Sequence, residues 1–244
     1  METANDRKTL INSLQKNILQ WEGYRPPPAG TQGLVGLGAV EMAFPNGVFP
    51  LGTVHELVCS TTEQATASSG LISGLLSVFM QNGGACLWIS LTGNIFPPAL
   101  SGFGIEPSRL IFIRVTKDQE ALWVMEEALK CAGLAAVVAE ARELDFKQSR
   151  RLQLAVEQSH VTGFVLRNAV KKIGSTACAA RWQVKSLPSE PVDDLPGLGF
   201  PRWEVELLRV RNGHPGTWII EWAEGKFKQV EKEQTAKPFK RKAG

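Results

Sequence analysis

Long hydrophobic runs, paired cysteines and clustered histidines are all missing from this sequence of 244 residues. No run approaches the roughly 18 consecutive apolar residues of a membrane span, so no membrane partner is expected. The four cysteines lie far apart, without a Cys-x-x-Cys motif or a nearby histidine pair, which argues against a disulfide framework and a zinc site. We therefore expect buried thiols and no bound metal.

The three histidines, His55, His160 and His214, are too far apart in sequence to indicate a catalytic triad, and no Gly-x-Ser-x-Gly elbow is present. Each is interpreted as a structural or surface residue. Residues 1–8 lack the basic-then-apolar order of a secretory signal, and no lipidation motif occurs. The expected location is therefore the cytoplasm.

The net charge of +3 is unevenly distributed. Residues 226–244 contain seven basic and two acidic residues, a net +5, so the rest of the chain is close to neutral. Cations interleaved with phenylalanines are typical of a tail that stays disordered until it meets an acidic partner or nucleic acid. Simple solvation is the alternative. The candidate partner or DNA contacts in this predicted tail are Lys237, Lys240, Arg241 and Lys242.

The first 52 residues have the composition of a helix followed by a linker. Leu10, Leu14, Ile18 and Trp21 are spaced four, four and three residues apart, which predicts a short amphipathic helix within residues 1–25. Its apolar stripe is a candidate contact for a partner or a second protomer, with packing on its own body as the equal alternative. Residues 26–52 are rich in proline and glycine and are interpreted as an extended linker.

Short apolar strands alternate with helices from residue 53 onward. This alternation predicts an α/β fold with a mostly parallel twisted sheet flanked by helices in a core of residues 53–225. Near the C-terminus, strands without intervening helices predict an antiparallel extension of that sheet. The predicted strands are 53–58, 85–90, 110–115, 135–139, 163–166, 181–187, 203–209 and 217–222, and the predicted helices are 68–81, 96–103, 118–131 and 146–159.

A degenerate phosphate-binding loop is predicted between strand 53–58 and the apolar run that begins at Leu71. A working loop needs a lysine for the β- and γ-phosphates and a Ser/Thr hydroxyl for Mg²⁺. Leu71 and Ile72 occupy those positions and supply neither, so ATP hydrolysis is not expected. Ser68, Ser69 and Gly70 are interpreted as a capped helix start, with a small anion-binding nest as the alternative.

Several longer stretches resemble one family. The most specific are Ser149-Arg150-Arg151-Leu152-Gln153-Leu154-Ala155, Val161-Thr162-Gly163-Phe164, Ala180-Arg181-Trp182, and Arg202-Trp203-Glu204-Val205-Glu206-Leu207-Leu208-Arg209 followed by Pro215-Gly216-Thr217-Trp218. With these stretches the chain resembles the RecA-like superfamily, and more closely its ImuA branch, over roughly residues 36–222.

The resemblance also locates the carboxylates of a working ATPase. The water-positioning carboxylate falls near Thr92, and the metal-side aspartate falls on Ala139, with Glu140 one residue late. No cofactor is therefore expected. Arg209 and Arg211 stand where RecA-like filaments place basic residues that reach a neighbouring subunit, and Arg150 and Arg151 are further candidate partner contacts.

The function that the resemblance implies is a non-catalytic accessory protein of an error-prone translesion assembly induced by DNA damage. Its expected partners are an ImuB-type Y-family-like polymerase homologue and an error-prone polymerase subunit, with RecA and single-stranded DNA as further candidates. The alternatives are a cell-division inhibitor of the SulA type, a modulator of the RecA filament, and a true DNA-dependent ATPase. The missing lysine and carboxylates argue against the last of these.

Overall fold

A single sheet forms the centre of the computed structural model, which describes residues 35–81, 83–91, 93, 95–170, 172–190 and 199–230. Its strands are β1 (Val54–Val58), β2 (Ala85–Ser90), β3 (Leu110–Arg114), β4 (Leu134–Ala141), β5 (Thr162–Arg167), β6 (Ala180–Leu187), β7 (Arg202–Val210), β8 (Gly216–Ala223) and β9 (Lys226–Val230). Their order is β3-β2-β4-β5-β1-β6-β7-β8-β9, parallel from β3 to β6 and antiparallel from β6 to β9. This arrangement confirms the predicted fold class.

Three α-helices lie against the sheet: α1 (Thr62–Met80), α2 (Asp118–Leu129) and α3 (Phe146–Ser159). Helix α1 packs on one face, where its buried leucines meet large aromatic side chains of the strands, including Trp88 and Trp182. Helices α2 and α3 pack on the other face, against smaller strand residues such as Val137 and Val165. Both faces of the parallel part are therefore covered, as its continuous apolar strands require.

Helix α1 begins at Thr62, so the predicted start at Ser68 is wrong. Thr61 caps the helix, because its Oγ1 accepts a hydrogen bond from the backbone N–H of Gln64 at 3.2 Å. Glu63 adds a favourable negative charge to the first turn. The polar, threonine-rich residues 61–66 are therefore the cap and the start of the helix.

The ends of α2 and α3 are set in different ways. Aspartate is a favoured N-cap residue, but Lys117 and not Asp118 occupies the N-cap position of α2. The Oδ1 atom of Asp118 instead accepts a hydrogen bond from the backbone N–H of Arg142 at 2.6 Å. At α3, the side chain of Asp145 and that of Gln148 form a reciprocal capping box. The aspartate of α2 therefore ties the helix start to the end of β4.

Two segments assigned to a linker and a tail belong in part to the folded body. Residues 35–52 are not a linker, because they contribute buried side chains to the α1 face, among them Leu37, Phe44 and Phe49. Residues 226–230 form β9, in which Phe227 packs on Trp222 with ring centroids 4.7 Å apart. The alternation of basic and apolar residues in this segment is therefore that of an edge strand.

Three of the four cysteines are buried as expected. Burial raises the pKa of the Cys59 thiol to about 11 and those of Cys86 and Cys178 to about 12. Cys131 is exposed, which contradicts the expectation, because α2 ends at Leu129 and the chain then turns through solvent. None of the helices in the described part of the chain is both long and apolar enough to span a bilayer.

Candidate functional site

The connection between β1 and α1 is too short for a phosphate-binding loop. Only Cys59, Ser60 and Thr61 separate the end of β1 from the first residue of α1. The side chain of Gln64 accepts a hydrogen bond from the backbone N–H of Ser60 at 2.8 Å. This N–H group before the helix therefore already has a partner within the protein. Glu63 lies in the same turn and would repel an anion. This helix start therefore offers no built phosphate site.

The five residues from Ser68 to Ile72 lie inside α1, and this position corrects both interpretations of Ser68–Gly70 as a helix start. Backbone N–H groups within a helix bond to carbonyls one turn earlier, so they cannot cradle an anion. Leu71 and Ile72 are buried in the core beneath the helix. A lysine at position 71 would therefore be directed into apolar packing and not toward a phosphate.

Gly70 and Gly74 allow close packing of α1 against aromatic rings. A Cβ atom at Gly70 would lie 2.9 Å from Cζ2 of Trp203, and one at Gly74 would lie 2.5 Å from Cζ of Phe227. Both distances are shorter than a normal van der Waals contact. The glycine that resembles part of a phosphate loop therefore serves the contact between the helix and the antiparallel extension.

A cleft with a volume of about 610 Å³ opens beside α1, at the carboxyl ends of the parallel strands. We call it the α1 cleft. One wall is the hydroxyl-rich side of α1 with Thr66, Ser69 and Ser73, and the facing wall comes from residues 95–103 and from Trp203. Its described lining residues include no Lys, Arg or His. The size suits a small ligand, but the charge does not suit a triphosphate.

Glu140 lies in the wall of the α1 cleft, near the end of β4. Its carboxylate accepts hydrogen bonds from the Ser90 hydroxyl and from the backbone N–H of Leu91, each at 3.0 Å. It thus joins the ends of β2 and β4. Ala139 is fully buried, and Thr92 lies outside the described residues. Within the described ranges, no group of three His, Cys, Asp or Glu side chains could hold a metal ion.

A buried ionic cluster, which sequence reasoning missed, lies on the other face of the sheet. Both oxygens of Glu56 in β1 are engaged: Oε1 accepts from Arg167 at 2.6 Å, while Oε2 accepts from Arg181 at 2.8 Å and from the Thr176 hydroxyl at 2.7 Å. Glu56 is fully buried and both arginines are nearly so. The available signal was a charged residue within each of three strands: Glu56 in the middle of β1, Arg167 at the end of β5 and Arg181 near the start of β6. The cluster fastens β5, β1 and β6 together.

His55, next to Glu56, is buried on the opposite face of β1. Its ring stacks between Phe49 and Phe164, with centroid distances of 4.7 and 5.3 Å. Desolvation lowers its pKa to about 4, so the ring is neutral at pH 7. The Nε2–H group donates to the carbonyl of Pro50 at 2.9 Å and Nδ1 accepts from the indole N–H of Trp182 at 3.3 Å. His55 is therefore a structural residue.

The predicted arginine contacts do not converge on the α1 cleft. Arg150 and Arg151 are exposed on α3, and Arg151 pairs with Glu126 of α2 at 2.7 Å. Arg209 lies near the end of β7, at the opposite edge of the sheet from the cleft, and donates to the carbonyl of Thr176 at 2.6 Å. Arg211 is exposed just beyond it. These residues remain surface candidates, separate from the cleft.

The remaining predicted contacts lie outside the described residues. They are the apolar stripe of the N-terminal segment and the cations of the C-terminal segment: Leu10, Leu14, Ile18, Trp21, Lys237, Lys240, Arg241 and Lys242.

The sheet order and the position of the cleft define the class of this protein. The chain is similar to the crystal structure of the RadB recombinase, with a TM-score of 0.56 and 16% identity, over 81% of this chain and 99% of that one. At this level of identity the likeness establishes the fold alone. The protein has a RecA-like fold.

A narrower relationship follows from the sequence comparison. The chain is 37% identical over 198 residues to Protein ImuA of Caulobacter vibrioides strain NA1000 / CB15N, which covers 75% of this chain and 80% of the relative. The same values hold for Protein ImuA of strain ATCC 19089 / CIP 103742 / CB 15. No family model matches the chain. The chain belongs to the ImuA family.

Proposed function

We propose that this protein is a non-catalytic accessory component of an error-prone translesion DNA synthesis assembly that forms after DNA damage. Membership of the ImuA family supports a role in this assembly, because the polymerase partners are those that the family resemblance implies. The observation that supports the non-catalytic part is the β1–α1 connection of three residues beside a cleft whose described lining residues include no Lys, Arg or His. We therefore infer that this RecA-like body acts through the proteins that it binds.

The proposed partners are an ImuB-type Y-family-like polymerase homologue and an error-prone polymerase subunit. Affinity capture of the tagged protein from DNA-damaged cells of its source, with partners identified by mass spectrometry, tests this proposal. We expect both polymerase components in the captured material and their absence from a mock capture. Recovery of the tubulin-like division protein alone would favour a SulA-type inhibitor, and recovery of RecA alone would favour a filament modulator.

Absence of ATP turnover is the second part of the proposal. Phosphate release should stay at the background rate when MgATP and single-stranded DNA are added together, because no described residue supplies the lysine or a metal-binding cluster. Stimulation by DNA that survives repeated purification would contradict this part and would favour a DNA-dependent ATPase. The capture experiment does not depend on this result.

Several surfaces are proposed for the partners. The N-terminal stripe (Leu10, Leu14, Ile18 and Trp21) and the exposed Arg150, Arg151 and Arg211 are candidate protein contacts, and the cations of the C-terminal segment are candidate contacts for single-stranded DNA. If those cations bind phosphates, their replacement by glutamine should flatten the dependence of DNA affinity on salt concentration. An unchanged slope would exclude the segment as the DNA contact.

A further inference from the structure

The inner wall of the α1 cleft presents hydrogen-bond acceptors. The hydroxyls of Thr66, Ser69 and Ser73 donate to helix carbonyls at 3.0, 2.8 and 2.7 Å. Ser73 is fully buried, so Thr66 and Ser69 are the two that offer mainly lone pairs to a ligand. Glu140 adds the negative charge of a buried carboxylate to the same wall, and both of its oxygens already accept hydrogen bonds from Ser90 and Leu91. The buried Oδ1 atom of Asn168, which also faces the cleft, has no hydrogen-bond partner among the described residues. The complementary ligand is a donor that carries positive charge.

The facing wall is aromatic. Trp203 is buried and stacks on the half-buried Phe103 with ring centroids 6.4 Å apart, whereas Phe96, which lines the same cleft, is 67% exposed. Aromatic faces attract guanidinium and ammonium groups as well as other rings. The cleft therefore suits a basic peptide that also carries an aromatic side chain, and it does not suit a phosphate-bearing ligand.

We propose that the α1 cleft binds the basic segment of this same chain, residues 237–242. The segment reads Lys-Pro-Phe-Lys-Arg-Lys and so joins one aromatic ring to four cations. The proline biases the residue before it toward an extended backbone, which suits a cleft between a helix and a strand. This inference goes beyond the proposed function and does not depend on it.

The chain is long enough to deliver the segment. Residues leave the folded body at Val230, which pairs with Ile219 of β8. Through Glu204 of β7 and Lys185 of β6 this register places Val230 just beyond the carboxyl end of β1, at the edge where the cleft opens. From β9 to β1 the sheet order gives four strand spacings, or about 19 Å at roughly 4.8 Å each. Eleven residues from Val230 to Arg241 span at most about 36 to 40 Å. The segment can therefore reach the cleft of its own chain or that of a second copy.

Hydrogen–deuterium exchange of the full-length chain is the first test. We expect the amides of residues 95–103 and of the first two turns of α1 to exchange several-fold faster when Lys240, Arg241 and Lys242 are changed together to glutamine. The matched control changes Lys117, Lys130 and Lys172 to glutamine, which removes the same charge from other surfaces. Equal exchange in the wild-type chain and the tail variant would overturn the proposal.

Direct binding is the second test. A fluorescent peptide of residues 231–244 is titrated with the full-length tail variant, whose own segment no longer competes. We expect saturable binding that weakens at least five-fold in Glu140→Gln and in Phe96→Ala, whereas Glu127→Gln on the opposite face has no effect. Phe96 is largely exposed, so its replacement leaves the core intact if Glu140→Gln proves unstable.

Two further outcomes discriminate the proposed binding mode from its rivals. A peptide of scrambled sequence that bound equally well would show nonspecific charge attraction, and displacement of the peptide by MgATP would show a phosphate site; either result would overturn the proposal. Protection that is independent of protein concentration would place the segment in its own cleft. Protection that rises with concentration would place it in the cleft of a second copy, which equally supports the binding.

Discussion

The α1 cleft and the Glu56 cluster lie on opposite faces of one sheet and use charge in opposite ways. The cleft is open and of ligand size, yet its described lining carries one carboxylate and no cation. The cluster buries a carboxylate and two guanidinium groups away from the α1 cleft, with the carboxylate in direct contact with both guanidinium groups. In this RecA-like body the buried charges hold strands together, and the position expected for nucleotide chemistry is filled by helix packing.

The largest expected effect comes from breaking the cluster. Arg181→Met should lower the free energy of unfolding by about 3 to 5 kcal/mol, because it leaves the Glu56 carboxylate buried with one guanidinium fewer. Urea denaturation monitored by circular dichroism measures this change. The double variant Glu56→Gln with Arg181→Met should recover part of the loss, since it also removes the stranded charge. A cost below 1 kcal/mol would show that the cluster contributes little to stability.

The next largest effect is the dependence of stability on pH that His55 causes. His55 is buried as a neutral ring, whereas Glu56 is buried as a carboxylate paired with two arginines. The folded pKa of His55 is lowered to about 4 from 6.5, so the unfolded chain binds a proton more readily between these values. Stability is therefore present above pH 6.5 and is lost as the pH falls toward 4. The loss between pH 7 and pH 4.5 should be about 2 to 3 kcal/mol.

Denaturation at a series of pH values checks this prediction by comparison with His55→Gln. The variant should show a shallower decrease in stability below pH 6.5, although it is less stable than the parent at pH 7. His214→Gln, at an exposed position, is the matched control and should keep the parental pH dependence. Parallel curves for the parent and His55→Gln would contradict the assignment.

Gly74→Ala tests whether the glycines beside the cleft serve packing. The added Cβ would lie 2.5 Å from Cζ of Phe227 and 3.0 Å from Cε3 of Trp222, so we expect a loss of about 1 to 3 kcal/mol despite the better helix propensity of alanine. Gly102→Ala is the control, since a Cβ there meets nothing within 4 Å. Thermal unfolding of both variants distinguishes close packing from a general effect of glycine replacement.

The smallest expected effect is the change in stability when nucleotide is added. If the cleft binds MgATP more weakly than about 10 mM, then 1 mM MgATP stabilises the fold by less than about 0.1 kcal/mol, which is below detection in a thermal melt. An upward shift of several degrees would mean that the cleft holds phosphate without a lysine. That result would remove the contrast between the cleft and the Glu56 cluster.

Sequence periodicity predicted the order of the elements because each parallel strand is a short apolar run and each helix has its own apolar stripe. The bounds of α3, Phe146–Ser159, were predicted fully, since Asp145 and Gln148 supply a local capping box. The start of α1 was misplaced because the similarity of Ser68–Gly70 to a phosphate loop outweighed the cap at Thr61. Both signals are local, and only the fold decides between them.

Residues 35–52 and 226–230, assigned to a linker and a tail, show what local sequence patterns cannot predict. Glycine and proline density correctly excludes a long regular element from residues 35–52, but it carries no information on whether Leu37, Phe44 and Phe49 are buried. Lys226 and Lys228 alternate with Phe227 and Gln229, which suits either a basic tail or an edge strand. Pairing with β8 decides for the strand, and that partner lies earlier in the chain.

The sequence by itself determined the fold class and the family, because these depend on short-range pattern and on residue identity. Tertiary structure alone decided that Gly70 meets Trp203, that Glu56 meets Arg167 and Arg181, and that Glu140 lines a cleft whose described residues include no cation. Together with the hydrogen bond from Ser90 to Glu140, those contacts join residues between 50 and 133 positions apart in the chain. Such distant residues are brought together only when parallel strands are ordered within one sheet, and no local preference encodes that order.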